Sequence, residues 1–218
     1  STDGTYTVQV HAQDNAGNSA NSSKTVQVDA TVPSASLEMP PANGNNGWYI
    51  SPVTVSAAGE DATSGVGSQL VSLDGITWSS SLTLSLDGIY TVQGHVTDNS
   101  GNATTVSQTV QIDHTQPSLS IPALTGTPGQ AGWFTSSVGV SVDASDLTSG
   151  VASLEYSVDG GAWLPGPLAL TDGRHTVQVQ GTDRAGNVSF ESQLVDVDST
   201  PPQSGFISPA EGSVAFAH

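Results

Sequence analysis

The sequence predicts an all-β protein built from tandem β-sandwiches. Three observations lead to this fold class: a repeat of about 85 residues, apolar and polar residues that alternate inside each repeat, and turn signals at short spacing. β-branched residues are dense, and no segment sustains the helical apolar spacing of an amphipathic helix. The segments therefore favour strands throughout.

Two short sequence boxes define the repeat. Asp-x-x-Gly-Asn begins at positions 14, 98 and 183, and Asp-x-Thr-x-Pro begins at positions 29, 113 and 198, so both boxes recur at the same intervals. Self-similarity at a fixed period is the signature of a tandem array. The predicted domains are the C-terminal part of a repeat at 1–28, complete repeats at 34–112 and 118–197, and the start of a further repeat at 203–218.

Each complete repeat has room for about seven short strands. In the first repeat, alternation and Asp-Gly turn signals predict strands near residues 34–39, 52–58, 68–73, 76–79, 82–86, 89–97 and 103–112. Seven short strands in about 80 residues are typical of an immunoglobulin-like β-sandwich. The predicted fold is therefore a tandem array of immunoglobulin-like sandwiches.

A tyrosine near the start of the sixth strand supports this fold. Tyr6 and Tyr90 each closely follow an Asp-Gly pair, which is the position of the tyrosine corner in immunoglobulin-like domains. The second complete repeat has His175 at this position. We therefore expect its corner to be weaker or replaced.

Charge and composition exclude several classes of function. The chain has 20 acidic side chains and three basic ones, Lys24, Arg174 and Arg184, for a formal net charge of −17. Binding to nucleic acid or to an anionic membrane surface requires clustered basic residues. No apolar run approaches the roughly 20 residues of a membrane span. We therefore expect no nucleic-acid partner and no membrane insertion in this segment.

The carboxylates of the boxes predict cation sites. In an immunoglobulin-like sandwich the entering linker, the loop between the second and third strands and the loop between the last two strands lie at one pole. Several hard oxygen ligands without His or Cys are typical of a Ca²⁺ site. The predicted ligands in the two complete repeats are Asp29, Asp61, Asp98 and Asn102, and then Asp113, Asp146, Asp183 and Asn187.

A structural interpretation of the same residues stands beside the calcium hypothesis. Aspartate before a turn often accepts hydrogen bonds from its own backbone, and asparagine tolerates left-handed conformations.

The role of the tryptophans is also open between two interpretations. Trp48, Trp78, Trp133 and Trp163 could stack on sugar rings, but their recurrence at fixed spacing favours packing.

No catalytic arrangement is predicted. The five histidines do not cluster, and no Ser-His-Asp combination or Cys ligand is available. A Lys–Asn isopeptide bond is excluded in both complete repeats, because no lysine lies between positions 34 and 198. We therefore expect the chain to have no enzymatic activity.

The order of the motifs resembles that of a known family. Gly-Trp-Tyr/Phe, Asp-x-Thr-Ser-Gly-Val, Trp, Asp-Gly-x-x-Thr-Val and Asp-x-x-Gly-Asn follow one another in both complete repeats. This order resembles the bacterial Ig-like repeats of large surface adhesins, stalk proteins and the non-catalytic arms of secreted hydrolases. The resemblance implies an extracellular or cell-surface location and a role as a spacer in a semi-rigid rod or filament, with Ca²⁺ at domain junctions.

The resemblance also suggests partners. Neighbouring repeats of the same polypeptide, or neighbouring subunits in a fibre, would contact these repeats. A glycan- or cell-binding adhesin module is the alternative function. Because a lone hairpin is marginally stable in water, we expect the end segments 1–28 and 203–218 to be completed by adjoining sequence or by strands of neighbouring subunits.

Overall fold

A computed structural model describes residues 2–121, 124–166 and 168–205. Its regular elements are strands and one 3₁₀ turn at Asn45–Gly47, so the predicted all-β fold is confirmed. The chain divides into two compact units. The first holds residues up to 117 together with 145–152 and 182–188, and the second holds the other described residues. The start of a further repeat, predicted at 203–218, lies outside the described residues from 206 onward.

The first two strands form an antiparallel hairpin. Strand β1 (Gly4–Gln13) pairs with β2 (Ser19–Val28) from Gly4 opposite Val28 to Gln13 opposite Ser19. An Asp-x-x-Gly-Asn box closes the hairpin, since Asp14 Oδ1 accepts the backbone N–H groups of Ala16 and Asn18. The box is therefore a hairpin turn.

The first complete repeat folds into two sheets. One has the strand order β3-β5-β7 and the other β4-β9-β8-β6. Their inner faces enclose a core of alternating residues from β5, β8 and β9, among them Val55, Val92 and Ile112. The strands are β3 (Ser36–Glu38), β4 (Trp48–Tyr49), β5 (Val53–Ala58), β6 (Val66–Ser72), β7 (Ser81–Leu84), β8 (Gly88–Asp98) and β9 (Ala103–Ile112).

One predicted strand is wrong and one was missed. At 76–79 the structure has only an isolated bridge between Val71 and Ser79. The carboxylate of Asp74 explains this, because it accepts the N–H groups of Ile76 and Thr77 at 2.8 and 2.7 Å and holds the segment as a turn. The missed strand, β4, pairs in parallel with β9, and it is too short to show alternation.

The described part of the second complete repeat contains ten strands. Its sheets have the orders β12-β19-β18-β15-β16, β11-β13-β17 and β10-β14. The core again alternates, with Val177, Val179, Val195 and Val197 on the inner face of one sheet. The strands are β10 (Ser118–Ser120), β11 (Leu124–Thr125), β12 (Trp133–Phe134), β13 (Val138–Val140), β14 (Asp143–Ser145), β15 (Val151–Val158), β16 (Leu164–Pro165), β17 (Leu168–Leu170), β18 (Gly173–Asp183) and β19 (Val188–Val197).

Both predicted tyrosine corners are present. The hydroxyl of Tyr90 donates to the carbonyl oxygen of Leu86 at 2.9 Å, and that of Tyr6 donates to the carbonyl oxygen of Thr2 at 2.7 Å. In the second complete repeat the Nε2 atom of His175 lies 3.0 Å from the equivalent carbonyl oxygen. A histidine therefore replaces the corner tyrosine.

No helix among the described residues is long and apolar enough to cross a membrane.

Candidate metal centres

The structure brings each predicted carboxylate trio together. Asp29, Asp61 and Asp98 each offer an oxygen within 4.8 Å of the others, and a second trio with the same spacing follows in the chain. Both trios lie within the first compact unit. Asp29 follows the last residue of β2, and Asp98 ends β8. The second trio consists of Asp113, Asp146 and Asp183.

The middle member of each trio organises its own loop. Oδ1 of Asp61 accepts the backbone N–H groups of Thr63, Ser64 and Gly65 at 3.1, 2.8 and 2.9 Å. Oδ1 of Asp146 accepts the equivalent groups at 3.2, 2.9 and 2.6 Å. The turn bonds of the structural interpretation are thus present, and all of them end on one oxygen. The second oxygen of each carboxylate is not used by these bonds.

The last member of the first trio is held by its Asp-x-x-Gly-Asn box. Asp98 is buried, and its Oδ1 accepts the N–H groups of Ser100 and Asn102 at 2.9 and 2.8 Å. The side-chain amide of Asn102 donates to Oδ2 at 2.7 Å. Burial favours the protonated acid, but these hydrogen bonds outweigh it and hold the pKa of Asp98 below its ordinary value.

The asparagines connect the boxes to the linkers. Nδ2 of Asn102 also lies 3.3 and 3.2 Å from the carbonyl oxygens of Asp29 and Thr31. Nδ2 of Asn187 lies 2.9 and 3.3 Å from those of Asp113 and Thr115. The structure thus shows both asparagines as hydrogen-bond donors. The ligand role expected for them stays a prediction.

Burial and mutual repulsion act on the second trio. Asp113 is fully buried, and this burial raises its pKa. A hydrogen bond from Ser149 lowers the pKa, but the nearby charge of Asp146 raises it again. None of the ion pairs among the described residues involves either trio. Because close carboxylates repel one another, a divalent cation would stabilise the charged form.

In the first trio, one carboxylate oxygen has no partner. Oδ1 of Asp29 accepts the N–H of Thr31 at 3.1 Å, whereas Oδ2 is buried without a hydrogen bond among the described residues. A buried carboxylate oxygen is costly when it is unsatisfied. The donor set at both trios is made of oxygen, which fits Ca²⁺ and does not fit a thiolate- or imidazole-bound metal.

The comparison with protein families agrees with the two-sheet fold. Residues 1–30 and 44–114 match a family model described as a bacterial Ig-like domain. This match, which covers less than half of the chain, is a resemblance to that family. The second complete repeat carries the same boxes one period later, so the predicted resemblance is confirmed. No curated protein matches this chain.

Solved structures resemble this chain only distantly. Fibronectin(III)-like modules of CbhA from Clostridium thermocellum are 14% identical with a TM-score of 0.38, covering 79% of this chain and 100% of the other. A tetra-tandem repeat from the extending region of a large adhesion protein is 19% identical with a TM-score of 0.32, over 90% of this chain and 57% of that one. The protocadherin GammaB4 extracellular domain is 12% identical with a TM-score of 0.38, covering 90% of this chain and 43% of the other. Likenesses this weak decide nothing about function.

Sequence reasoning missed a clamp that occurs three times in the described part of the chain. The carboxylates of Asp3 and Asp87 each accept hydrogen bonds from the linker that follows their own sheet. Asp87 accepts the N–H of His114 at 2.9 Å and the hydroxyl of Thr115. Asp3 and Asp172 make the equivalent contacts. The sequence does contain a signal for this clamp, because each of the three aspartates precedes the threonine of the next Asp-x-Thr box by the same number of residues.

The tryptophans divide into packed and exposed residues. Trp48 is buried, as the packing interpretation predicts, and Trp78 lies against His95 with ring centroids 5.3 Å apart. Trp133 and Trp163 each remain 37% exposed. Packing therefore accounts for the tryptophans of the first complete repeat better than for those of the second.

Proposed function

We propose that this chain is a non-catalytic run of structural repeats from an extracellular or cell-surface protein. The repeats at 34–112 and 118–197 would form consecutive segments of a semi-rigid rod stiffened by Ca²⁺ at their junctions. A surface adhesin, a filament or the arm of a secreted hydrolase would each use such a rod. Neighbouring repeats, or neighbouring subunits of a fibre, would be its partners.

The fixed linker after β9 is the observation that carries this proposal. In the first unit, Oδ2 of Asp113 accepts the N–H of Ser149 at 3.0 Å, and the amide of Asn187 reaches two linker carbonyl oxygens. The clamp at Asp87 holds the same linker by His114. A flexible tether would leave these groups to water. A linker bonded along its length restricts rotation between the segments it joins.

A second set of contacts supports a stiff junction. The backbone N–H of Asn45 donates to the carbonyl oxygen of Ala185 at 2.7 Å, and the side-chain amide of Asn46 donates to that of Arg184 at 2.9 Å. Both acceptors lie in the Asp-x-x-Gly-Asn box that begins at Asp183. The 3₁₀ turn of one repeat and the last box of the next are therefore joined by one backbone–backbone bond and by one bond from a short side chain.

Calcium would complete these junctions. Each trio offers three carboxylates, and Asp29 Oδ2 and the buried Asp113 would gain most from a bound cation. Binding would join the linker to two loops and thereby add a cross-link at the same place as the hydrogen bonds. The local partners of the described histidines support a non-catalytic role, since each bonds a nearby residue of a strand or turn.

Small-angle X-ray scattering of the chain in Ca²⁺ and in chelator tests this function. We expect an extended particle in Ca²⁺ and a broader distribution of distances in chelator. Asp61→Asn should abolish the difference at the first junction, whereas Glu38→Gln removes one exposed charge of the same repeat and should leave it intact. A compact particle in both solutions would overturn the rod. An extended particle with the same distribution of distances in Ca²⁺ and in chelator would overturn only the role of calcium.

A further inference from the structure

We propose that the outer face of the five-stranded sheet in the second complete repeat binds a neutral oligosaccharide. Trp163 and Phe190 would form its stacking platform. This surface lies wholly in the second compact unit and shares no residue with the carboxylate trios. The proposal therefore goes beyond the structural role and does not depend on it.

The platform consists of exposed apolar side chains on one face. Val195 and Val197 of β19 point into the core, so Phe190 and Leu194 lie on the opposite, outer face. Phe190 is 65% exposed and Leu194 68% exposed. The ring centroid of Trp163 lies 6.1 Å from that of Phe190, with the planes inclined at 57°.

The first complete repeat shows that the fold does not require this platform. The positions equivalent to Phe190 and Leu194, one repeat earlier, are Thr105 and Thr109. There Thr105 bonds His95, on which Trp78 packs. One scaffold thus carries a polar pair in the first repeat and two exposed apolar side chains in the second, so the apolar residues need another explanation.

Polar side chains suited to sugar hydroxyls lie on the same face of the sheet as the rings. Strand β18 lies between β19 and β15 in the sheet, and its buried Val177 and Val179 place Gln178 and Gln180 on the outer face. Glu155 on β15 lies on that face too, because the adjacent Tyr156 is buried. Amides and a carboxylate beside exposed aromatic rings are the groups that fix the orientation of a polar ligand on an apolar surface.

Charge and size select the occupant. Arg174 is the only lysine or arginine among residues 153–181 and 189–205, and its guanidinium is bound to Asp196 at 2.8 and 2.9 Å. An acidic glycan would find no available cation there, so the ligand is neutral. The three apolar side chains expose roughly 300 Å². A stable protein interface buries about 800 Å² on each partner, whereas one or two sugar rings match the smaller patch.

The test is a glycan array of neutral oligosaccharides, namely β-glucans, xylans, mannans and chitin fragments, probed with the intact chain. We expect the chain to bind at least one class. Phe190→Thr, which installs the residue of the first repeat, should weaken that binding tenfold or more, and Phe190→Thr with Leu194→Thr should abolish it. The melting temperature of both variants should stay near that of the parent chain, because threonine is accommodated at both positions in the first repeat.

Leu147→Thr is the matched control. Leu147 is a fully exposed apolar side chain outside this face, and its replacement should not change the binding. Chelator should not change it either. Absence of binding to every class, or equal binding by the double variant, would overturn the proposal. Self-association of the parent chain in sedimentation that Phe190→Thr abolishes would assign the face to a second copy instead of a glycan.

Discussion

The Nδ1 atom of His175 lies 2.9 Å from Oδ2 of Asp159, while its Nε2 atom lies 3.0 Å from the carbonyl oxygen of Thr171. Both partners can only accept hydrogen bonds, so the doubly protonated imidazolium satisfies both contacts. The bond to Asp159 raises the pKa of His175, the bond to Thr171 adds to this, and burial opposes it. The tyrosine corners of the other repeats have no such charge.

This corner predicts a pH-dependent stability for the second complete repeat. Because the pKa of His175 is raised on folding, its stabilising contribution is complete below the unfolded value of about 6.5 and is lost as pH rises through the folded value. We expect the melting temperature to fall as pH rises above about 6.5. His175→Tyr, which restores the residue of the other corners, should flatten this dependence. An identical slope in the variant would contradict the assignment.

Calcium should raise the melting temperature of the chain. A cation bound only by the folded state stabilises it by about 2.7 kcal/mol at a concentration roughly 100 times its dissociation constant. Calorimetry in Ca²⁺, Mg²⁺ and chelator measures the effect, with Ca²⁺ expected to stabilise most because it accepts irregular oxygen sites. Melting curves that coincide in all three solutions would show that the chain does not bind calcium.

Asp146→Asn separates the cation from the turn. The amide oxygen of asparagine can keep the three turn bonds made by Oδ1, while the substitution removes the charge beside Asp113. In chelator we expect unchanged or higher stability, because repulsion on the buried carboxylate falls. In Ca²⁺ we expect lower stability than the parent chain. Loss of stability to the same extent in both solutions would show that the residue serves the turn alone.

Asn187→Ala should destabilise the chain by about 1–3 kcal/mol, because it leaves the oxygens of a partly buried cluster without their donor. The substitution removes the hydrogen bonds from the side-chain amide to Asp183 and to the linker. Asn18→Ala is the control: the same box in the exposed hairpin makes a 2.8 Å bond to Asp14 that water can replace. Urea unfolding of both variants provides the comparison. Equal losses of stability would mean that the linker bonds add nothing.

Thr115→Val should loosen the linker without unfolding a repeat. The hydroxyl of Thr115 bonds Asp87, which also accepts the N–H of His114. We expect amide exchange at His114 to accelerate by about tenfold, the equivalent of about 1.4 kcal/mol. Thr109→Val, a similar change on the exposed part of β9, should leave that amide unchanged. An unchanged exchange rate at His114 would show that the bond from Thr115 to Asp87 does not stabilise the linker.

The sequence by itself determined the repeat, the all-β class and the residues of the two trios. Val53, Val55 and Ala57 alternate with less buried neighbours, and such a pattern depends only on the period of two along a strand. The convergence of Asp29, Asp61 and Asp98 was predictable because topology alone places their loops at one pole. Spacing along the chain carried both conclusions.

Only the tertiary structure decided which atoms meet. It replaced the expected strand at 76–79 by a turn around Asp74, and it showed Asn102 as a donor. It also paired His175 with Asp159 and Trp163 with Phe190. Each of these outcomes depends on side-chain direction and on partners from other strands, or on competition between a carboxylate and the backbone for one N–H group. Periodicity contains no information about such choices, because they are settled by three-dimensional packing.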